Sequence, residues 1–296
     1  MELTELSSGI GVSSGYLSFL LHHHDKYYKT FYIKKRKGKK QRLIATPNYE
    51  IKAIQGWLLR NYLDKIEICD RATGFVKKKG IKENARYHLG QKYIMCLDIK
   101  DFFPSIDKSR IYKVLLNRLN DDYLSYFISE ISTFKDTLPQ GGVTSPVLSN
   151  IVFNSQDDEI KKICNETNIN YSRYADDLCF SSNYFRNLSD LQPKISKIIQ
   201  EGGFKLNDDK TRFMSGKHKK MVTGLFLNED RLTVGRRRKR NVRAALHNFI
   251  VKNDTDVNIN EVYGMISFIS DIDNNYKVNI KQYIQQLYIK HNINHS

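Results

Sequence analysis

Tyr174-Ala175-Asp176-Asp177 sets two adjacent acids after an aromatic and a small residue. Its flanks, Ile169 to Ser172 and Leu178 to Phe180, lean apolar. The segment therefore reads as a strand, a tight turn carrying two acids, and a second strand. Aspartate is a poor strand residue, so packing does not explain the pair. Adjacent carboxylates repel unless a cation lies between them. A polar turn also favours Asp, and the turn alone leaves both readings open.

A partner acid lies upstream. Lys92-Tyr93-Ile94-Met95-Cys96-Leu97-Asp98-Ile99 is a nearly continuous apolar run that carries one acid near its end. Such a run suits a central strand buried on both faces. Asp101 and Phe102-Phe103-Pro104-Ser105 follow, and the proline stops the strand. A strand ending in Asp98, beside a hairpin presenting Asp176 and Asp177, lets three carboxylates converge. Three acids can hold two magnesium ions, which is what in-line phosphoryl transfer uses.

Further motifs follow the same order along the chain. They are Leu138-Pro139-Gln140-Gly141, Gly203-Phe204-Lys205-Leu206-Asn207 and Lys210-Thr211. With Asp98 and the acid turn, they resemble the ordered motifs of reverse transcriptases. Asn84-Ala85-Arg86-Tyr87-His88 and Val222-Thr223-Gly224 are similar to the NAxxH and VTG signatures of bacterial retron reverse transcriptases. The resemblance runs from about residue 30 to residue 275.

The resemblance implies an α+β right-hand polymerase with fingers, an antiparallel palm sheet and a helical thumb. Residues 1–92 would form a helical lead-in and fingers. Residues 93–228 would form the palm, with finger-side helices around 108–136, and residues 229–296 the thumb. It implies RNA-directed DNA polymerase activity on a cognate structured non-coding RNA. Synthesis would start from an RNA 2′-hydroxyl and give a branched RNA–DNA product, in antiphage defence beside a separate effector protein. Deoxynucleoside triphosphates would be the substrates. Group II intron-like and diversity-generating reverse transcriptases are the near alternatives, and a non-catalytic RNA-binding scaffold is the distant one.

The resemblance also distributes roles. Asp98, Asp176 and Asp177 would ligate the metals, with the Ile99 carbonyl as an extra ligand. Phe103 would lie under the incoming sugar and exclude a 2′-hydroxyl. Arg42 and one lysine between Lys34 and Lys40 would grip the triphosphate, as an arginine fork suits phosphate oxygens. Gln140 would lie near the sugar and template base, and Lys210 would protonate the leaving pyrophosphate. Val222, Thr223 and Gly224 would approach the primer. Asn84 and His88, four residues apart on one helical face, would recognise the RNA or its DNA copy.

Composition agrees with a polyanion partner. The 296-residue chain carries a net charge of +16, clustered at Lys34–Arg42, Lys77–Lys79 and Arg236–Arg240. Arg236, Arg237 and Arg238 precede an amphipathic pattern from Val242 onward and would line the duplex track. The four cysteines lack CxxC spacing, so zinc and redox motifs find no support. Cys96 and Cys179 fall in the apolar strands and read as core thiols. His22-His23-His24 cannot share a face on either helix or strand. With no signal-peptide pattern and no membrane-length apolar run, the expected location is a bacterial cytoplasm.

Overall fold

The computed structural model describes residues 1–34, 41–216 and 219–292. The chain opens with helices α1 (Leu3–Ile10) and α2 (Ser14–His23), then a hairpin of β1 (Tyr28–Lys34) and β2 (Gln41–Pro47). Helices α3 (Tyr49–Asn61) and α4 (Ile81–Arg86) lead to strand β3 (Tyr93–Asp98). Helices α5 (Lys108–Leu119), α6 (Asp122–Ser132) and α7 (Ser145–Glu166) precede β4 (Asn170–Tyr174) and β5 (Asp177–Ser182). Helix α8 (Phe185–Glu201) and β6 (Arg212–Met214) follow. Short strands β7 (Met221–Val222), β8 (Leu225–Leu227) and β9 (Leu232–Thr233) lead into α9 (Arg236–Val251), α10 (Ile259–Ile272) and α11 (Asn274–Lys290).

Local chemistry explains several boundaries. The side chains of Ser13, Asn48, Asp107 and Asp121 each accept an N–H from the first turn of α2, α3, α5 and α6. Such caps satisfy backbone donors that a helix start leaves free. At the end of α8, Gly203 takes a φ of +74°, where a side chain would be strained. The three histidines at the end of α2 each bond a carbonyl of the preceding turn through Nδ1, at 2.7, 2.9 and 2.7 Å. They point to separate acceptors and do not converge.

Strand β3 is the centre of a four-stranded antiparallel sheet in the order β4-β5-β3-β6. Its apolar run is divided by the pleat. Met95 and Leu97 enter a core shared with α1–α3 and α5–α8, while Ile94 and Cys96 enter a second core with β7–β9 and α9–α11. A strand covered on both faces has no polar positions to spare, which is why the sequence alternation vanishes here. Cys96 lies opposite Cys179 with the sulfurs 3.3 Å apart, both as buried thiols.

The basic run departs from expectation in one respect. Arg236 to Arg240 lie inside α9, not ahead of it. Arginine and lysine are strong helix formers, so the apolar stripe marks only where the helix becomes buried, not where it starts.

Candidate active site

The acid pair stands at the tip of the β4–β5 hairpin. Ala175 makes the turn in the left-handed region, with φ +56°. A buried ion pair holds that turn. Arg173 and Asp157 are both fully buried, and the guanidinium meets the carboxylate through Nε at 2.8 Å and Nη2 at 2.6 Å. Arg173 Nη1 donates to the Ala175 carbonyl and to Asn150 Oδ1, each at 3.0 Å. The Tyr171 hydroxyl donates to the same Asp157 oxygen at 2.6 Å. An arginine fork satisfied on every side is the form in which a buried charge is tolerated.

Residues 71–75 lie along the outer edge of β4. Thr73 N–H donates to the Arg173 carbonyl at 2.8 Å, and Arg173 N–H donates to the Arg71 carbonyl at 2.9 Å. A Cβ on Gly74 would come 2.6 Å from the Ala175 nitrogen, so only glycine lets the two backbones approach this closely.

The third acid arrives by register. Asp98 pairs directly with Asp177 at the ends of β3 and β5, and Ile99 N–H donates to the Asp176 carbonyl at 2.9 Å. Residues 205–207 extend the pairing beyond β3, with Asn207 N–H donating to the Asp98 carbonyl at 2.8 Å. This carries Lys210 to the site, where its Nζ lies 2.8 and 2.6 Å from the two Asp98 oxygens.

The electrostatics show that the acids share one field. Burial raises the Asp176 pKa, and the charge of Asp98 raises it further. Burial pushes Asp177 up to about 6, with Asp176 and Asp98 adding to the rise. Mutually repelling, half-buried oxygens of this kind match the hard donors that a divalent cation takes. As the side chains stand, no group of three or more His, Cys, Asp or Glu among the described residues closes into a cation cage. Lys210 supplies the positive charge that Asp98 would otherwise lack. Its ammonium therefore faces an acid of the site, whereas the family resemblance implies a leaving group.

Other expected residues surround the acids. Phe103 is half-buried, with the Phe102 ring 5.7 Å and the Phe75 ring 6.0 Å away, centre to centre. Gln140 is half-buried, its Oε1 shut off from solvent without a hydrogen-bond partner. Its carbonyl accepts from Ala45 N–H at 3.0 Å, which ties the 138–141 loop to the β1–β2 hairpin. Gly141 has φ +127° and leaves no room for a Cβ, which would meet the Ala45 carbonyl at 2.8 Å. Arg42 is exposed on β2, and its positive charge lowers the Asp176 pKa against the larger upward effects. Apart from Lys34, the lysine expected at the triphosphate lies outside the described residues.

Two residues correct the sequence reading. Asn84 and His88 are fully buried and cannot touch RNA in this fold. His88 lies 2.8 Å from the Ser181 hydroxyl through Nδ1 and 2.8 Å from the Ser172 hydroxyl through Nε2. It thus rivets both arms of the acid hairpin. The Ser172 hydroxyl donates to the Asn84 carbonyl, and Thr73 Oγ1 lies 2.9 Å from Asn84 Oδ1. Helix α4 also packs on β7, β8 and β9, where Thr223 Oγ1 donates to the Ile81 carbonyl at 3.2 Å. His88 thus spends its polarity on the interior, while the buried Asn84 Nδ2 has no hydrogen-bond partner.

This burial has a pH consequence. Desolvation lowers the His88 pKa to about 3, against 6.5 for a free imidazole. The unfolded chain therefore takes up a proton first as pH falls. Stability from this group is complete above pH 6.5 and is lost toward pH 3, at up to about 1.4 kcal/mol per pH unit. Denaturation midpoints at pH 7.5 and 5.5 will fall less for His88→Gln than for the parent chain. Equal falls would contradict a neutral, buried His88.

Val222 is buried, and Thr223 and Gly224 form the β7–β8 turn with φ +46° and +81°. Two positive φ values suit the right-handed twist of a two-residue hairpin. Arg236 and Arg237 are exposed. Arg238 is half-buried, stacks on Phe268 at 5.6 Å and approaches Gly224, an ideal Cβ of which would lie 3.8 Å from its Nη2.

Comparison with known proteins agrees with this geometry. The family profile described as "Reverse transcriptase (RNA-dependent DNA polymerase)" matches residues 33–242. The retron Ec86 reverse transcriptase of Escherichia coli is 30% identical over 294 residues, covering 99% of this chain and 91% of that protein. The retron Ec83 reverse transcriptase of the same species is 34% identical over 261 residues, covering 83% of each chain. Among solved structures, telomerase from Candida albicans in complex with a telomeric RNA fragment superposes with a TM-score of 0.55 at 12% identity. That match covers 91% of this chain and 61% of the telomerase, and it bears on the fold, a right-hand polymerase. An acid turn braced from within, a third acid brought in by register and a match along nearly the whole chain lead to one conclusion: the protein belongs to the reverse transcriptase family, among the bacterial retron reverse transcriptases, and is an RNA-directed DNA polymerase.

Proposed function

We propose that this chain copies part of a cognate structured RNA into single-stranded DNA, priming from an RNA 2′-hydroxyl to leave a branched product. Such a product suits a role in antiphage defence beside a separate effector protein. The pairing of Asp98 with Asp177, one residue from Asp176, carries the catalytic half of this reading. The branched product rests on the retron relatives and on the retron signatures at Asn84–His88 and Val222–Gly224.

Asp98, Asp176 and Asp177 would hold two magnesium ions, helped by the Ile99 carbonyl. When bound, the ions would activate the attacking hydroxyl and neutralise charge on the transferred phosphoryl group. Lys210 would leave Asp98 as the metals arrive, which frees its ammonium for the departing pyrophosphate. Arg42 would grip triphosphate oxygens from the β1–β2 hairpin. Gln140 would offer its unpartnered Oε1 to the nucleotide. The Thr223-Gly224 turn and the exposed arginines of α9 would follow the nucleic-acid backbone, each phosphate contact adding salt-sensitive affinity.

Phe103 would close the space beside the sugar. Phe103→Ala is expected to raise ribonucleotide incorporation relative to deoxynucleotide incorporation, on the order of 10-fold or more for the loss of a buried ring face. An unchanged ratio in primer extension would refute that role. The wider reading is tested on the purified protein. Nucleic acid extracted from it and treated with RNase should contain a short, discrete DNA carrying a residual 2′-linked ribonucleotide. A preparation yielding RNA but no DNA would count against it.

A further inference from the structure

Phe75 has no role in the assignments above, yet its geometry is unusual. Its φ is +62°, a conformation rarely adopted by a bulky side chain, and the residue is 41% exposed. Such strain persists only where the surroundings impose it, and it concentrates at functional positions. Here the surroundings are identifiable. Asn150 Nδ2 donates to the Gly74 carbonyl at 2.9 Å, and Gly74 lies against the Ala175 backbone. The ring that follows stands between two others, 6.0 Å from Phe103 and 6.3 Å from Tyr174. The Phe103 contact is edge-on at 64°, a favourable arrangement for two rings.

We propose that Phe75 is a positioning residue for deoxynucleotide selection, holding the Phe103 ring against the sugar pocket so that a 2′-hydroxyl meets it. The inference rests on the gate role of Phe103. Without Phe75, the Phe103 ring keeps its contact with Phe102 and loses the Phe75 contact that holds its orientation. Because the 72–75 segment is bonded to β4 and α7, the support is fixed to the same turn that carries the acids.

Primer extension with single deoxy- and ribonucleoside triphosphates tests this through the ratio of kcat/KM values. Phe75→Leu removes the ring and keeps an apolar side chain. It should lower the deoxy-to-ribo ratio by about 3- to 10-fold, the scale of one aromatic contact. Phe75→Tyr should restore the parental ratio. Phe75→Leu added to Phe103→Ala should change that variant's ratio no further, because the effect passes through Phe103. A parallel fall in both rates with the ratio held, while Phe103→Ala relaxes selection, would overturn the role of Phe75 and leave the gate standing. A ratio unmoved by Phe103→Ala would remove the gate, and this inference with it.

Discussion

Asp176→Asn will abolish DNA synthesis while RNA binding persists. The loss should be on the order of 1,000-fold or more, since removing a metal ligand forfeits several kcal/mol of charge stabilisation in phosphoryl transfer. The fold should not suffer. Asp176 is a half-buried acid whose pKa is raised by burial and by Asp98, so its charge costs free energy in the metal-free protein. A neutral isostere relieves that repulsion, and the melting temperature without magnesium should hold or rise. Stabilisation by added magnesium should shrink in the variant. Primer extension, RNA binding and thermal melts on the same preparations check all three expectations. Undiminished synthesis would end the metal assignment.

Arg173→Met is expected to show the opposite signature, a folding defect with lost activity in consequence. Its guanidinium and the Asp157 carboxylate are fully buried partners. Removing the guanidinium leaves the Asp157 carboxylate buried without its counter-charge, a loss of about 3–5 kcal/mol and a melting temperature lower by about 10 °C. The Ala175 carbonyl loses its donor as well, so the acid turn loosens even in molecules that fold. Pairing the change with Asp157→Leu should recover much of the stability, because no uncompensated charge then remains. It should not recover synthesis, since the turn still lacks its brace. A double variant that regained both would show that Arg173 acts on folding alone.

These two residues lie three apart in one hairpin, and they show which parts of the site can be read from sequence. Asp176 was legible because two acids in a turn between apolar arms have few structural reasons to be there. Asp98 was legible because an apolar run cannot end in a charge without cause. Arg173 was not legible. Its value depends on Asp157, Asn150 and the Gly74 region, none of which announces the contact through local periodicity. The one available signal was an arginine at an inward position of a strand otherwise reading as buried. The RNA contact expected of Asn84 and His88 came from the family resemblance, and nothing local in the sequence showed their burial. Their partners, Ser172, Ser181 and Thr73, are small hydroxyls that carry no pattern of their own. The start of α9 was hidden because a basic run has helix propensity without any apolar stripe to show it.

The long-range consequence is that two signature segments meet. Helix α4, which carries Asn84, packs on the sheet that carries Val222 and accepts the Thr223 hydroxyl at Ile81. The same helix leads directly to His88, which is bonded to both arms of the acid hairpin. One short helix and one buried imidazole thus connect the turn at Gly224 to the acid hairpin.

Extension of a DNA primer annealed to an RNA template, with purified protein, deoxynucleoside triphosphates and magnesium, tests the three-acid assignment. DNA should reach the template end, stop growing when the metal is chelated and fail to form with Asp176→Asn. Protein that is folded and bound to the primer–template but yields no DNA at any magnesium concentration would contradict it.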